Sequence, residues 1–118
     1  GSSPLIIAAV FGKTEVALAL INAGADVNFQ NNEGSTPLHT SAFFCRMEIV
    51  ECLLNNGADK NIRNNAESTA LESVTIPLEA VVGIYNYFSS TLGPLGLQLD
   101  LDHIKITRPV IAEMIQNK

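Results

Sequence analysis

The sequence predicts an all-α solenoid of stacked helix–turn–helix units, and three observations predict it. The chain repeats itself at a fixed offset of 33 residues without a gap. Pro4-Leu5 falls on Pro37-Leu38, Ala9 on Ala42, Glu15-Val16 on Glu48-Ile49 and Leu20-Ile21 on Leu53-Leu54. Asn22-Ala23-Gly24-Ala25-Asp26 falls on Asn55-Asn56-Gly57-Ala58-Asp59. A period of this length marks units that bury their apolar faces only by stacking. Helix punctuation recurs in phase with it: Thr36 can cap a helix, Pro37 suits the first turn, and Gly57 stands at a stop that favours a left-handed residue. Finally, 118 residues suffice for one core, while no apolar run reaches the roughly 18 residues of a membrane span.

The elements follow in chain order. Gly1-Ser2-Ser3 reads as a leader foreign to the repeat, so the first unit starts in mid-repeat at Pro4 and runs to Gln30. Leu5, Ile6, Ile7 and Val10 crowd its inner helix, and Gly12 separates that helix from the next. Asp26 to Ser35 then turn back as a polar hairpin. The second unit, Asn31 to Arg63, reads NNEGSTPLHTSAFFCRMEIVECLLNNGADKNIR. Leu38, Ser41 and Ala42 give its inner helix a small-residue face. Met47 to Asn55 form the outer helix, with Ile49, Val50, Leu53 and Leu54 as the inward stripe.

Thr36-Pro37-Leu38-His39, Glu48-Ile49-Val50, Leu53-Leu54 and Gly57-Ala58-Asp59 stand at the spacing of the ankyrin repeat, and this unit closely resembles that family. The resemblance extends over residues 4–30 and 31–63 and into a divergent third unit. It implies that His39 is structural, hydrogen-bonding one repeat to the next. Ile6 takes the place of His39 in the first unit. Cys45 takes the place of Gly12, and a cysteine at positive φ is strained by about a kcal/mol or more. The Phe44–Met47 loop is therefore expected to depart from the family geometry.

The third unit, 64–88, reads Thr69-Ala70-Leu71-Glu72 where the second has Thr-Pro-Leu-His, and Glu67 replaces Gly34. Pro77 is expected to start its second helix, from about Leu78 to Phe88, with Val81, Val82, Ile84, Tyr85 and Phe88 as apolar positions. Ser89 to Gly96 break it. A short helix capped by Asp100 or Asp102 is preferred over a strand for the next segment, because no second strand is at hand. Thr107 is expected to cap a final helix with Pro109 in its first turn. Residues 89–118 thus read as a helical C-terminal cap, with Leu97, Leu99, Leu101, Ile104, Val110, Ile111, Met114 and Ile115 turned inward. The whole chain forms one domain. This ending is similar to tails of some small bacterial ankyrin proteins.

Composition narrows function. A net charge of −5 with seven Lys+Arg argues against nucleic acid as a partner. Cys45 and Cys52 lie two helical turns apart, too far to bridge within one helix and at no common zinc spacing. They read as free thiols, which together with the lack of a secretory signal points to the cytoplasm. No phosphate loop, zinc cluster or nucleophile elbow appears, so the chain reads as a non-enzyme without cofactor or metal. Asp100, Asp102 and His103 form the one alternative, a metal-binding or acid–base cluster; helix capping is the plainer reading.

The family resemblance places partner binding on the concave side, formed by hairpin tips and inner helices. Residue by residue this gives Val10 and Phe11; Asn32, Glu33, Ser35, Phe43 and Phe44; and Asn65, Ala66 and Ser68. Adjacent Phe43 and Phe44 suit interface anchors, unless the Cys45 turn folds Phe44 into the core. The expected function is noncatalytic binding of a protein partner. Self-association is the structural alternative, as a homodimer through the uncovered N-terminal face around Leu5, Ile6, Ile7 and Val10.

Overall fold

The computed structural model describes residues 3–117, and these contain seven α-helices and no strand. The helices are α1 (Pro4–Phe11), α2 (Thr14–Asn22), α3 (Pro37–Phe43), α4 (Met47–Asn55), α5 (Ala70–Thr75), α6 (Leu78–Leu92) and α7 (Leu101–Asn117). A 3₁₀ turn, Gly93–Leu95, follows α6. Helices α1, α3 and α5 pack side by side as an inner row, while α2, α4 and α7 form the outer row.

Each inner helix starts from the same chemistry. The hydroxyls of Ser3, Thr36 and Thr69 accept the backbone N–H groups of Ile6, His39 and Glu72 at 3.2–3.3 Å. Each satisfies a donor that the first helical turn leaves unpaired. Ser3 thus takes the capping place of the first inner helix. The signal was its place 33 residues before Thr36; Gly1 and Ser2 lie outside the described residues. Glu72 completes a capping box, its carboxylate accepting the Thr69 N–H at 2.9 Å.

The inner helices also end alike. Gly12 lies at φ 68° and Cys45 at φ 60°. Lys13 N–H reaches Ala8 O at 2.9 Å, and Arg46 N–H reaches Ser41 O at 2.8 Å. The expected departure at Cys45 does not occur: the turn keeps the glycine geometry with a side chain on it. What surrounds each position explains why. Arg46 donates from Nε to Ala9 O at 3.1 Å and from Nη2 to Val10 O at 2.7 Å. A Cβ on Gly12 would stand 2.9 Å from that guanidinium. Val10 corresponds to Phe43, yet the Phe43 carbonyl accepts the Tyr85 hydroxyl at 2.6 Å instead. Arg108 donates to Tyr85 Oη at 2.9 Å and to Ile76 O. The arginine stands off by one phenol, and the Cys45 side chain has room.

This arrangement fixes the register of the third unit. Arg108-Pro109-Val110-Ile111-Ala112-Glu113-Met114-Ile115 repeats the pattern Arg46-Met47-Glu48-Ile49-Val50-Glu51-Cys52-Leu53. Ile111 and Ile115 are buried as Ile49 and Leu53 are, and α7 packs on α5 and α4 as α4 packs on α3 and α2. Helix α7, and not residues 78–88, occupies the outer row of the third unit. Arg108 lies 62 residues beyond Arg46, so 29 extra residues intervene, and they contain α6. Helix α6 joins the stack through Tyr85, whose ring stacks on Phe43 at 4.3 Å with planes 11° apart.

Three further expectations are corrected. Helix α6 runs four residues past Phe88, because Ser89 to Leu92 continue it before Gly93-Pro94 can stop it. Residues 101–117 form one helix capped by Asp100, whose carboxylate accepts the N–H groups of Asp102 and His103. Thr107 does not cap a separate helix; it is buried within α7, and Pro109 sits inside that helix, costing one backbone bond to Lys105. Leu101 and Val110 face outward.

Tyr85→Phe leaves the Phe43 carbonyl and a donor of Arg108 short of partners. The expected loss is about 1–3 kcal/mol of stability, the cost of stranding buried polar groups. Urea denaturation reads it as a lower midpoint at unchanged slope; an unchanged midpoint would mean that water replaces the phenol.

Candidate protein-binding surface

The hairpin tips are tied to one another unit by unit. Asn65 N–H donates to Glu33 O at 2.8 Å, and its side-chain amide to Asn32 O at 2.9 Å. A Cβ on Gly34 would meet Asn65 Oδ1 at 2.6 Å, so close stacking requires glycine there. Glu67, at the corresponding place in the third tip, adopts φ 62° with its side chain exposed.

His39 ties the inner helices to the tips. It is buried. Its Nδ1 faces Thr36 N at 3.1 Å and Thr36 Oγ1 at 2.8 Å, and its Nε2 faces Ser68 O at 2.8 Å. The Thr36 N–H needs an acceptor and the Ser68 carbonyl needs a donor, which assigns a neutral ring with the proton on Nε2. Burial holds its pKa below the ordinary histidine value, against the opposing effect of the Ser68 carbonyl. His39 is thus the inter-unit link that the sequence implied.

Between the tips and α6 lies a groove of about 360 Å³. Thr40 and Phe43 of α3, with Val10 of α1, contribute its floor. Glu33 and Ser35 stand on the hairpin side, and Ile84, Phe88 and Leu92 on the α6 side. The lining carries one carboxylate, Glu33, and no Lys or Arg. Of the residues singled out in the sequence, the groove gathers Val10, Glu33, Ser35, Phe43 and Phe44. Phe11, Asn32, Asn65, Ala66 and Ser68 do not line it.

Phe44 needs correction as a binding residue. It is 5% exposed and packs edge-on against Phe43 and Phe88, with centroids 5.2 and 5.3 Å apart. Phe43 is half-buried under α6. The inserted helix covers much of the concave floor that the two phenylalanines were expected to offer. The residues that replace them, Ile84, Phe88 and Leu92, belong to α6, and the 62-residue spacing of the two Arg-led outer helices was the signal for that insertion.

A family model described as ankyrin repeats in three copies matches residues 1–64. The chain belongs to the ankyrin repeat family. No curated protein matches the sequence significantly. Ankyrin repeats are in general protein–protein interaction modules and are typically noncatalytic. No described helix of this ankyrin protein is long and apolar enough to cross a membrane. Of the alternative cluster, Asp100 is committed to capping α7, and the His103 ring lies 3.3–3.4 Å from Thr107 Oγ1. No group of three or more His, Cys, Asp or Glu side chains converges among the described residues.

Two outcomes follow. Because the pKa of folded His39 is lowered, the unfolded chain binds this proton more readily. The neutral ring supports the fold fully above the ordinary histidine pKa of about 6.5, and that support falls as pH drops through the lower folded value. His39→Gln should flatten this part of the stability–pH profile, read by chemical denaturation between pH 7.5 and 5. Cys45 is buried, and burial pushes its thiol up to about 11 despite the nearby Arg108 and Arg46 charges. A disulfide reagent at neutral pH should therefore modify partly exposed Cys52 quickly and Cys45 only on unfolding.

Proposed function

We propose that this protein binds a segment of a partner protein in the groove between the hairpin tips and α6. The observation that carries the reading is the apolar groove itself. Its floor comes from two repeat units and its far wall from the inserted helix, with a polar rim on the hairpin side. Such a site suits an extended or turn segment that inserts one bulky apolar side chain. Glu33 is the one charged lining group and the protein carries a net charge of −5, so a Lys or Arg beside the anchor is the complementary choice.

The test uses a displayed random-peptide library panned on the intact protein. The selected peptides should share an apolar or aromatic anchor next to a basic residue. Their affinity should fall about tenfold or more with Ile84→Asp, in line with loss of an interface anchor. Glu33→Lys should weaken them selectively and steepen no salt dependence. Val110→Asp, exposed on α7 outside the groove, is the control. Binding that ignores Ile84→Asp and Glu33→Lys alike would overturn the assignment.

A further inference from the structure

The hairpin tips carry a feature that the apolar lining of the groove does not explain. Asn31 and Asn64 stand at the same place in the second and third tips, one repeat apart, and both line the groove. Asn31 Oδ1 accepts the N–H groups of Glu33 and Ser35, each at 3.0 Å. Asn64 Oδ1 accepts those of Ala66 and Ser68 at 3.0 and 3.1 Å. Two backbone donors on one oxygen settle which end of each amide is which. The oxygens turn into the tips, so each Nδ2 is directed away from its own turn. Neither Nδ2 donates to a protein group among the described residues. The stack thus holds two amide donors in fixed orientation, repeated with its period.

The rest of the groove supplies shape. Thr40 and Ser73, also one repeat apart, spend their hydroxyl protons on Thr36 O at 3.3 Å and Ala70 O at 2.7 Å. Leu5 and Ile6, expected on an uncovered N-terminal face, are both 2% exposed, and Ile6 lines the groove instead. Toward α6 the rings of Phe43 and Phe88 stand 6.2 Å apart with planes inclined by 70°. Two aromatic rings therefore meet at an angle across from the two amides.

The spacing of the donors selects a conformation for what they bind. The tips follow the inner helices, and packed helices lie about 8–10 Å apart. A β-strand presents the same edge every second residue, or about every 7 Å. An α-helical turn rises about 5.4 Å and has no free carbonyls inside it. A polyproline II turn takes three residues and rises about 9 Å, with every carbonyl unpaired. Of these conformations it is the one in step with the stack. We infer that the groove takes a proline-rich segment of a partner protein in the polyproline II conformation. The segment runs along the stack, and carbonyls three residues apart accept from Nδ2 of Asn31 and of Asn64. Proline loses nothing here, since no N–H is asked of it, and its ring suits an aromatic-lined wall. The stiff conformation also leaves less freedom to lose on binding. This inference rests on the groove as the binding site.

The test pans two displayed peptide libraries of equal length and diversity on the intact protein. One carries proline at every third position and the other excludes proline. The first should yield binders at least about tenfold tighter than any from the second. Their affinity should fall with Ile84→Asp, which places them in the groove. Asn31→Asp and Asn64→Asp keep an oxygen for the turn N–H groups and delete the Nδ2 donors. At about 1 M salt, where the Debye length of about 3 Å screens the added charges, each should weaken the binders about threefold and the pair about tenfold. A melting midpoint within about 2 °C of the parent confirms that the tips are intact. Exchanging the peptide prolines for alanine supplies a readout that needs no variant of the protein, with a loss of at least about threefold expected. Binders that ignore Ile84→Asp, or no binders at all, would overturn the groove and this inference together. Binders that need Ile84 but come equally from the proline-free library would overturn this inference alone. So would binders that keep their affinity in the double asparagine variant or after proline exchange.

Discussion

A guanidinium reaching back to the carbonyl end of a neighbouring inner helix locks one helix pair to the next. A unit of two short helices cannot bury its own apolar face, so its stability resides in the contacts with neighbours. The inner helix of each unit ends after about two turns, leaving carbonyls that need donors. Arg46 supplies them to Ala9 and Val10 directly. Charge-assisted bonds of this kind contribute more than neutral ones, about 1.5–3 kcal/mol each. A side chain at position 12 would press on the same guanidinium, and the φ of 68° there favours glycine independently. One side chain thus meets both the carbonyl end of α1 and the turn that follows it.

The third unit satisfies the same requirement by a different route, and the difference creates the groove. Its arginine arrives late in the sequence, after α6, and binds a tyrosine hydroxyl that in turn binds the Phe43 carbonyl. Arg108 is buried with a phenol and a backbone carbonyl as its partners, a costly place for a charge unless each donor direction is met. The phenol that meets it belongs to α6, so the lock between units and the position of the inserted helix are coupled. Phe43, Phe44, Phe88 and Tyr85 form one aromatic group around this point. Burial pushes the Tyr85 hydroxyl up to about 12, against the pull of Arg108, so it remains a donor throughout the neutral range. The helix held this way stands opposite the hairpin tips and makes a walled groove from what an uninterrupted stack would leave as an open concave face.

Periodicity made the first two units legible almost to the residue, since every turn, cap and apolar stripe recurs at one offset. The His39 link was legible because Thr36-Pro37-Leu38-His39 is intact. What the sequence hid was the interruption. A fixed offset fails once residues are inserted, so Arg108 to Ile115 read as an appended cap when they form the missing outer helix. Leu78 to Phe88 read as that outer helix because their apolar spacing suits any helix lying on a core. Phe44 read either as an interface anchor or as a ring folded into the core, and the core reading holds, with Phe88 of the inserted helix packed against it. Cys45 read as a place where the loop would depart from the repeat, because a cysteine at positive φ is strained; it keeps the positive φ, and the turn holds. For α6 and α7 local pattern identified a helix correctly and misjudged its partner, which depends on contacts far away in sequence.

The two ends of the stack differ in a way that side-chain chemistry alone reveals. At the third tip, Glu67 adopts the left-handed conformation with a full side chain, whereas Gly34 must stay bare because Asn65 presses on it. A further tip laid on Glu67 as Asn65 lies on Gly34 would meet that side chain. Along the outer row, α7 turns Ala112 and Gln116 to the places where α4 has Val50 and Leu54, so that side too has lost apolar surface. Lys60 binds the Ile115 carbonyl near the C-terminus of α7 at 3.1 Å, where a cation also meets the negative end of the helix dipole. These features set the third unit apart from the second. At the other end Lys13 occupies the place of Arg46, and Ile7 and Val16 stay apolar and exposed. A terminal unit tolerates polar replacement on its outer face because nothing packs there. The third unit shows such replacement on its outward side, whereas Ile7 and Val16 of the first remain apolar.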